Sequence, residues 1–251
     1  MDILIKLIVC FLAGMGAGLG TGFAGMSAAA VISPMLITFL DMPAYEAVGI
    51  ALASDVLASA VSAYTYGKNK NLDIKNGLVM MVAVLLVTML GSYVASLVPN
   101  RTMGSFSMVM TLLLGIKFIA QPVMTTRESM ASVSPKKRFV QSVICGFVGA
   151  GGGMMMLLIL TSVLGYELKT AVGTSVFIMA FTAFTGAASH FTIGGMPDIL
   201  LLVLCVVFTL IWARIAARFA NKASAETLNR VTGIVLVILG GAMVIVNYII
   251  K

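Results

Sequence analysis

Apolar residues in this chain run in blocks of one to two dozen and do not alternate with polar ones. Five such blocks occupy the first half, at roughly Ile3–Thr21, Met26–Leu40, Ala44–Tyr66, Ile74–Val98 and Thr102–Ala120. After a polar stretch near Gln121–Arg138 come five more: Phe139–Gly149, Gly152–Leu164, Leu168–Phe191, Ile199–Phe219 and Leu228–Ile250. A helix needs about 20 apolar residues to cross a hydrocarbon core of about 30 Å. Blocks repeated from end to end therefore predict an all-α polytopic membrane protein. The polar stretch has the size of a loop, so no soluble domain fits between the blocks. Met1–Gly20 pairs Lys6 with an apolar run, as a signal peptide does, but it also carries Asp2 and has a counterpart later in the chain. It reads as a mature helix.

The second block, interrupted by Pro34, covers only about 22 Å, too short to span alone. It follows Gly22-Phe-Ala-Gly-Met-Ser-Ala-Ala, and its counterpart follows the run Gly146–Gly153, Gly-Phe-Val-Gly-Ala-Gly-Gly-Gly. Stretches so rich in glycine and other small residues break helices. Inside a membrane such breaks are tolerated only against protein or a water-filled cavity. A broken or re-entrant helix in each half is the sequence mark of a transporter's binding site.

Shifting the chain by 124 residues superposes the two breaks. Gly22, Phe23 and Gly25 then meet Gly146, Phe147 and Gly149, and Ala47-Val48-Gly49 meets Ala171-Val172-Gly173. One inserted residue later, Asp73-Ile74 meets Asp198-Ile199. The expected organisation is a first transmembrane repeat at 1–121, a cytoplasmic linker at 122–138 and a second repeat at 139–251.

Composition supports the membrane assignment: 60% of the 251 residues are hydrophobic and 10% charged. A net charge of +7 would suggest nucleic acid in a soluble protein, but here the basic residues sit between blocks and read as topology determinants. Lys68, Lys70 and Lys75 mark the third-to-fourth loop of the first half, where the second half has only Asp198. The fourth-to-fifth loop is reversed, with Arg101 alone in the first half and Arg214, Arg218, Lys222 and Arg230 in the second. Placing every rich loop in the cytoplasm turns the halves upside down relative to each other, an inverted repeat with both termini outside. Trp212, Arg214 and Arg218 are expected to anchor a helix end at the headgroups.

Few residues can carry chemistry. Successive backbone N–H groups at Gly149, Gly151, Gly152 and Gly153 could hold an anion at the start of the following helix. Gly25 and Ser27 form the diluted copy, and the alternative reading of both is close helix packing. Thr174 and Ser175 add hydroxyls to the third segment of the second half, facing the alternative of back-bonding within the helix. Asp55, beside Ser54 in the middle of an apolar segment, is a candidate proton-coupling carboxyl or else a neutral strut. His190, the only histidine, is a second coupling candidate, because imidazole changes charge near neutral pH; its plainer reading is an interfacial residue. Lys117 lies within the fifth segment without an evident partner. Cys10, Cys145 and Cys205 are isolated, and the 19 methionines read as apolar filling. No cofactor, metal site or nucleophile constellation is expected. A membrane assembly or metal-handling factor using Met and Cys side chains is the alternative to transport. The partners expected are a small anion and membrane lipids, not nucleic acid; self-association is left open.

The paired pattern resembles the TauE/SafE family of sulfite exporters. It consists of a glycine-rich turn, an apolar run with Pro-x-Leu, then Ala-x-Gly-Thr-Ser. The first half reads Gly25–Leu36, including Pro34-Met35-Leu36, and Ala47-Val48-Gly49. The second reads Gly149–Gly153 and Ala171-Val172-Gly173-Thr174-Ser175. The first half departs at Ser27, Ala28, Ala29, Ile50 and Ala51, and the second has Leu158 in place of the proline. What the resemblance implies is a permease for small sulfur-containing anions such as sulfite or an organosulfonate. The departures imply a lopsided site, tighter on the Gly149–Gly153 and Thr174-Ser175 side.

Overall fold

The computed structural model describes residues 3–95, 112–113, 115–123, 153–162 and 164–245. Among them secondary structure is entirely helical: α1 (Ile3–Ala24), α2 (Ala29–Leu40), α3 (Ala44–Lys68), α4 (Ile74–Ala95), α5 (Gly153–Ser162), α6 (Leu168–Gly194), α7 (Ile199–Lys222) and α8 (Ala225–Ile245). Five of these, α1, α3, α6, α7 and α8, are long and apolar enough to cross a membrane. Ile3, Leu4, Tyr64, Phe184, Ile199 and Ile238 are each more than half exposed around the bundle, a surface suited to lipid and not to water.

Two helix pairs form the frame. α1 and α7 run parallel, and a glycine every fourth residue lets them touch: a Cβ on Gly14 would meet Phe208, on Gly18 Trp212, on Gly22 Ala216. Trp212 packs edge-on near Phe11 of α1, with ring centroids 6.4 Å apart, inside α7 and not at its end. α3 and α6 run antiparallel. Gly49, early in α3, lies under His190 and Phe191 late in α6, while Gly173, early in α6, lies under Tyr66 and Asn71 at the end of α3.

These directions bring the basic loops to one end of the bundle. There Asn71 donates to Asn221 across 2.7 Å, and Tyr166 donates to Asp73 across 2.9 Å. Lys169 donates to the carbonyls of Asn221 and Ala223 (3.1 and 2.7 Å), placing a cation at the negative end of α7. Lys68, Lys70, Lys75 and Lys222 belong to the same end. At the opposite end Asp198 caps α7, accepting from the N–H groups of Leu200 and Leu201, and pairs with Lys6 at 3.0 Å. The Lys6 ammonium holds this carboxyl below the usual carboxylate range. The Asp198 amide in turn donates to Glu46 of α3 across 2.9 Å.

The short helices do not span. α2, 12 residues long, covers about 18 Å. It begins beside the middle of α3 and ends where α3 begins. α5 has 10 residues, about 15 Å. Ala29 and Gly153, the first residues of these helices, are 124 apart, as are Ala44 and Leu168, the first of α3 and α6.

Candidate functional site

The site is built where α1 stops. Gly25 turns left-handed (φ +61), and its N–H reaches back to the Thr21 carbonyl at 3.0 Å, an αL cap that a β-carbon would strain. The carbonyls freed at this end are answered by other helices. Tyr66 of α3 donates to the Gly22 carbonyl at 2.8 Å, and Thr232 of α8 to that of Phe23 at 3.3 Å. The helix therefore ends deep in the protein with the carbonyls of Thr21, Gly22 and Phe23 paired, as burial demands.

Four residues later α2 starts, with the Ala29 amide held by Ser27 Oγ at 3.3 Å and the Ala30 amide by the Ser27 carbonyl at 3.1 Å. Its N-cap position, Ala28, supplies no side-chain cap. The acid that faces this start comes from α3. Asp55, 1% exposed, accepts from Ser27 Oγ at 2.6 Å and from Ser59 Oγ at 2.9 Å, with the Ala28 amide as a third donor. A carboxylate at the positive end of a helix is favourably placed. No ion pair involves Asp55; among the described residues the two ion pairs join Lys6 to Asp198 and Arg230 to Glu226. The helix start that the sequence suggests for an anion thus already faces an acid of the protein's own.

From the other side comes α6. Ser175, fully buried, donates to the Gly25 carbonyl across 3.4 Å, and a Cβ on Gly25 would sit 3.0 Å from its hydroxyl. Gly25, Ser27, Asp55 and Ser175 therefore meet in one place. Thr174 does not join them: its hydroxyl accepts from the Asp73 amide at 3.2 Å and steadies the α3–α4 connection. Ser54 is satisfied within its own helix, at the Ile50 carbonyl. Gly153 is the first residue of α5, and Gly149, Gly151 and Gly152 lie outside the described residues.

His190 is at the end remote from the basic loops. Its ring lies 4.3 Å from that of Tyr45, and Nδ1 is 3.2 Å from the Tyr45 carbonyl. Together with Pro43, Glu46 and Met196 it lines a separate pocket of about 270 Å³. Lys117 donates to Ser162 of α5.

Two features escape a reading of the sequence. Ser59, Ser62 and Tyr66 continue the Asp55 face of α3, all of them fully buried. Their spacing from Asp55, at i+4, i+7 and i+11, is the signal that could have found them. Cys10 and Cys205 face one another across the α1–α7 seam in a hydrogen bond, a pairing that no local pattern encodes. Among the described residues no group of three or more His, Cys, Asp or Glu side chains could hold a metal ion.

Comparison with known proteins gives a consistent picture. The family model described as "Sulfite exporter TauE/SafE" matches residues 10–243. The chain is 26% identical to "Probable membrane transporter protein YunE" of Bacillus subtilis (strain 168), over 96% of each protein. It is 23% identical to "Probable membrane transporter protein YdhB" of the same organism, covering 81% of this chain and 86% of that one. No solved structure matches it.

Proposed function

We propose, from the premise that the chain belongs to the TauE/SafE family and is a multi-pass membrane transporter, that it moves a small sulfur-containing anion, sulfite or an organosulfonate, by alternating access. The observation that carries this reading is the α2 start, buried at mid-bundle with Ser27 and Ala28 directed at Asp55. Hydroxyl and amide donors suit an oxyanion that must bind and leave, and they need no cation. The family pattern offers the glycine-rich approach to α5 as the second wall of the cradle. The reciprocal contacts of α3 and α6 support the inverted repeat: helices matched at an offset of 124 cross antiparallel, Gly49 under His190 and Gly173 under Tyr66.

Asp55 explains how coupling arises. An ionised Asp55 takes the donors of the α2 start and repels a second anion beside it. Once protonated it gives up most of its claim on them, and the substrate anion can dock. Anion and proton then move together.

The test is flux of sulfite and of an organosulfonate into proteoliposomes, with and without a pH gradient. The expected result is uptake that follows the gradient. Absence of flux for every sulfur oxyanion and sulfonate tried sinks the reading.

A further inference from the structure

We propose that the α3 face carrying Asp55, Ser59, Ser62 and Tyr66 is a proton path joining the coupling carboxyl to the basic end of the bundle. The proposal rests on Asp55 being the coupling group, as argued above.

The four side chains stand at i, i+4, i+7 and i+11, so they form a single line along the helix. None is more than 1% exposed. The line runs in one direction only. It starts at Asp55, where α2 begins, passes Ser59, which already donates to Asp55 Oδ1 at 2.9 Å, and ends at Tyr66, next to Asn71 and the lysine-rich α3–α4 connection.

Ser62 is the telling member. Its hydroxyl is fully buried and has no hydrogen-bond partner, although such groups are nearly always satisfied. Other serines and threonines of the bundle solve this problem by bonding to a carbonyl one turn back, as do Ser54, Thr65 and Thr161. Ser33 and Thr170 are likewise buried without a partner, but of the three Ser62 alone stands between two bonded hydroxyls on one helix face. It is available to a water.

Neighbours three or four positions apart on a helix have Cβ atoms about 5–6 Å from each other, a span that one water bonded to both hydroxyls would bridge, and the path requires one there. Each serine takes a proton on a lone pair as it releases its own, so it ends every passage unchanged, and one proton is delivered to or removed from Asp55. Tyr66 holds its proton on the Gly22 carbonyl at 2.8 Å, which closes the line until that bond swings away. The groups facing Asp55 are Ser59 on its own helix, and Ser27 and the Ala28 amide from the break. At the far end stand Asn71, Asp73 and the lysines.

The experiment is proton uptake by proteoliposomes with a trapped pH dye, driven by methanesulfonate, which carries no proton near neutral pH, and in parallel by sulfite. Ser62→Ala removes a group that bonds to nothing, so a purely structural Ser62 predicts an unchanged rate. A proton path predicts that Ser62→Ala and Ser62→Val lose proton uptake on the order of a hundredfold, the usual weight of a positioned proton carrier. The melting temperature of Ser62→Ala should match wild type, Ser62→Val should melt somewhat lower because it overfills the site, and Ser62→Thr should restore the rate. Ser54→Ala, the same truncation on the same helix, should behave as wild type. Unchanged uptake in Ser62→Ala overturns the path and leaves Asp55 coupling standing. Anion movement without protons in the wild-type protein, or movement of neither anion, overturns the coupling premise and the path with it.

Discussion

α3 and α6 are matched helices with opposite contents. Offsetting by 124 aligns Asp55 with Met179, Ser59 with Ala183, Ser62 with Gly186 and Tyr66 with His190. Met179 and Ala183 are inward like their counterparts, 6% and 4% exposed, yet they are apolar where Asp55 and Ser59 are polar. Their ends differ too. Tyr66 is fully buried against a carbonyl of α1, whereas His190 is half-exposed against Tyr45. The lesson is one of division of labour. A buried polar line must be fully answered or functional, and at these positions α3 carries the longer one. On the proposed reading α3 takes the chemistry, and α6 supplies the close-packed surface against which it is held.

The largest effect should come from the glycines that let the two helices meet. Gly173→Ala drives a Cβ into the Asn71 carbonyl, which is backbone and cannot step aside. It should cost about 3 kcal/mol or more, while Gly49→Ala, whose nearest neighbour is the Phe191 ring, should cost under about 1 kcal/mol. Thermal unfolding in detergent measures both, and equal losses would erase the difference between the two crossings.

Next in size is Asp55→Asn, expected to lower pH-driven flux about a hundredfold. Met179→Leu, at the matched position, should stay within about twofold because volume and polarity are conserved. Comparable losses at the two positions would mean that α6 carries chemistry after all.

Smaller again are the hydroxyls. Ser27→Ala removes a 2.6 Å donor to the carboxyl and should reduce flux about tenfold, in line with about 1.5 kcal/mol for a bond to a charged group. Ser175→Ala removes long contacts, 3.4 Å to the Gly25 carbonyl and 3.9 Å to the Met179 sulfur, and touches no charged group through them, so its effect should be a few-fold. The reverse order would move the centre of the site to α6, the tighter side that the family resemblance implies.

The smallest effect lies outside the pair. Lys6 lowers the pKa of Asp198, so the pair stabilises the fold above the unfolded carboxyl's value, about 3.9, and the benefit is lost as pH falls through the lower folded value. With Asp198 a third exposed, the gain is under about 1 kcal/mol. Lys6→Met should flatten this acid step in melting temperature and leave neutral-pH flux alone.

Helix identity was legible in the residues because apolar runs of membrane length have few alternatives. Ala44, Leu168 and Ile199 open α3, α6 and α7 where the pattern puts them. The far ends run on: α7 continues past Phe219 to Lys222 and α6 past Phe191 to Gly194. Hydropathy marks the span in hydrocarbon, while backbone hydrogen bonding continues into the polar zone beyond it. α1 likewise passes Thr21 to Ala24, because Tyr66 and Thr232 answer its last carbonyls, and those partners are distant in sequence. At the site, Thr174 and Ser175 were read together as neighbours in sequence. Adjacent helical residues point about 100° apart, so one hydroxyl meets Gly25 and the other Asp73. Ser27 as partner of Asp55 needs the tertiary fold, since the two stand 28 residues apart on different segments.

The seam of Gly14, Gly18 and Gly22 has a mechanical consequence. It zips α1 to α7 so closely that a β-carbon on any of the three would collide with the facing helix. In the proposed alternating-access cycle α1 and α7 then belong to one moving body. The repeat boundary expected from the sequence would not be its hinge line, because that body takes a helix from each half.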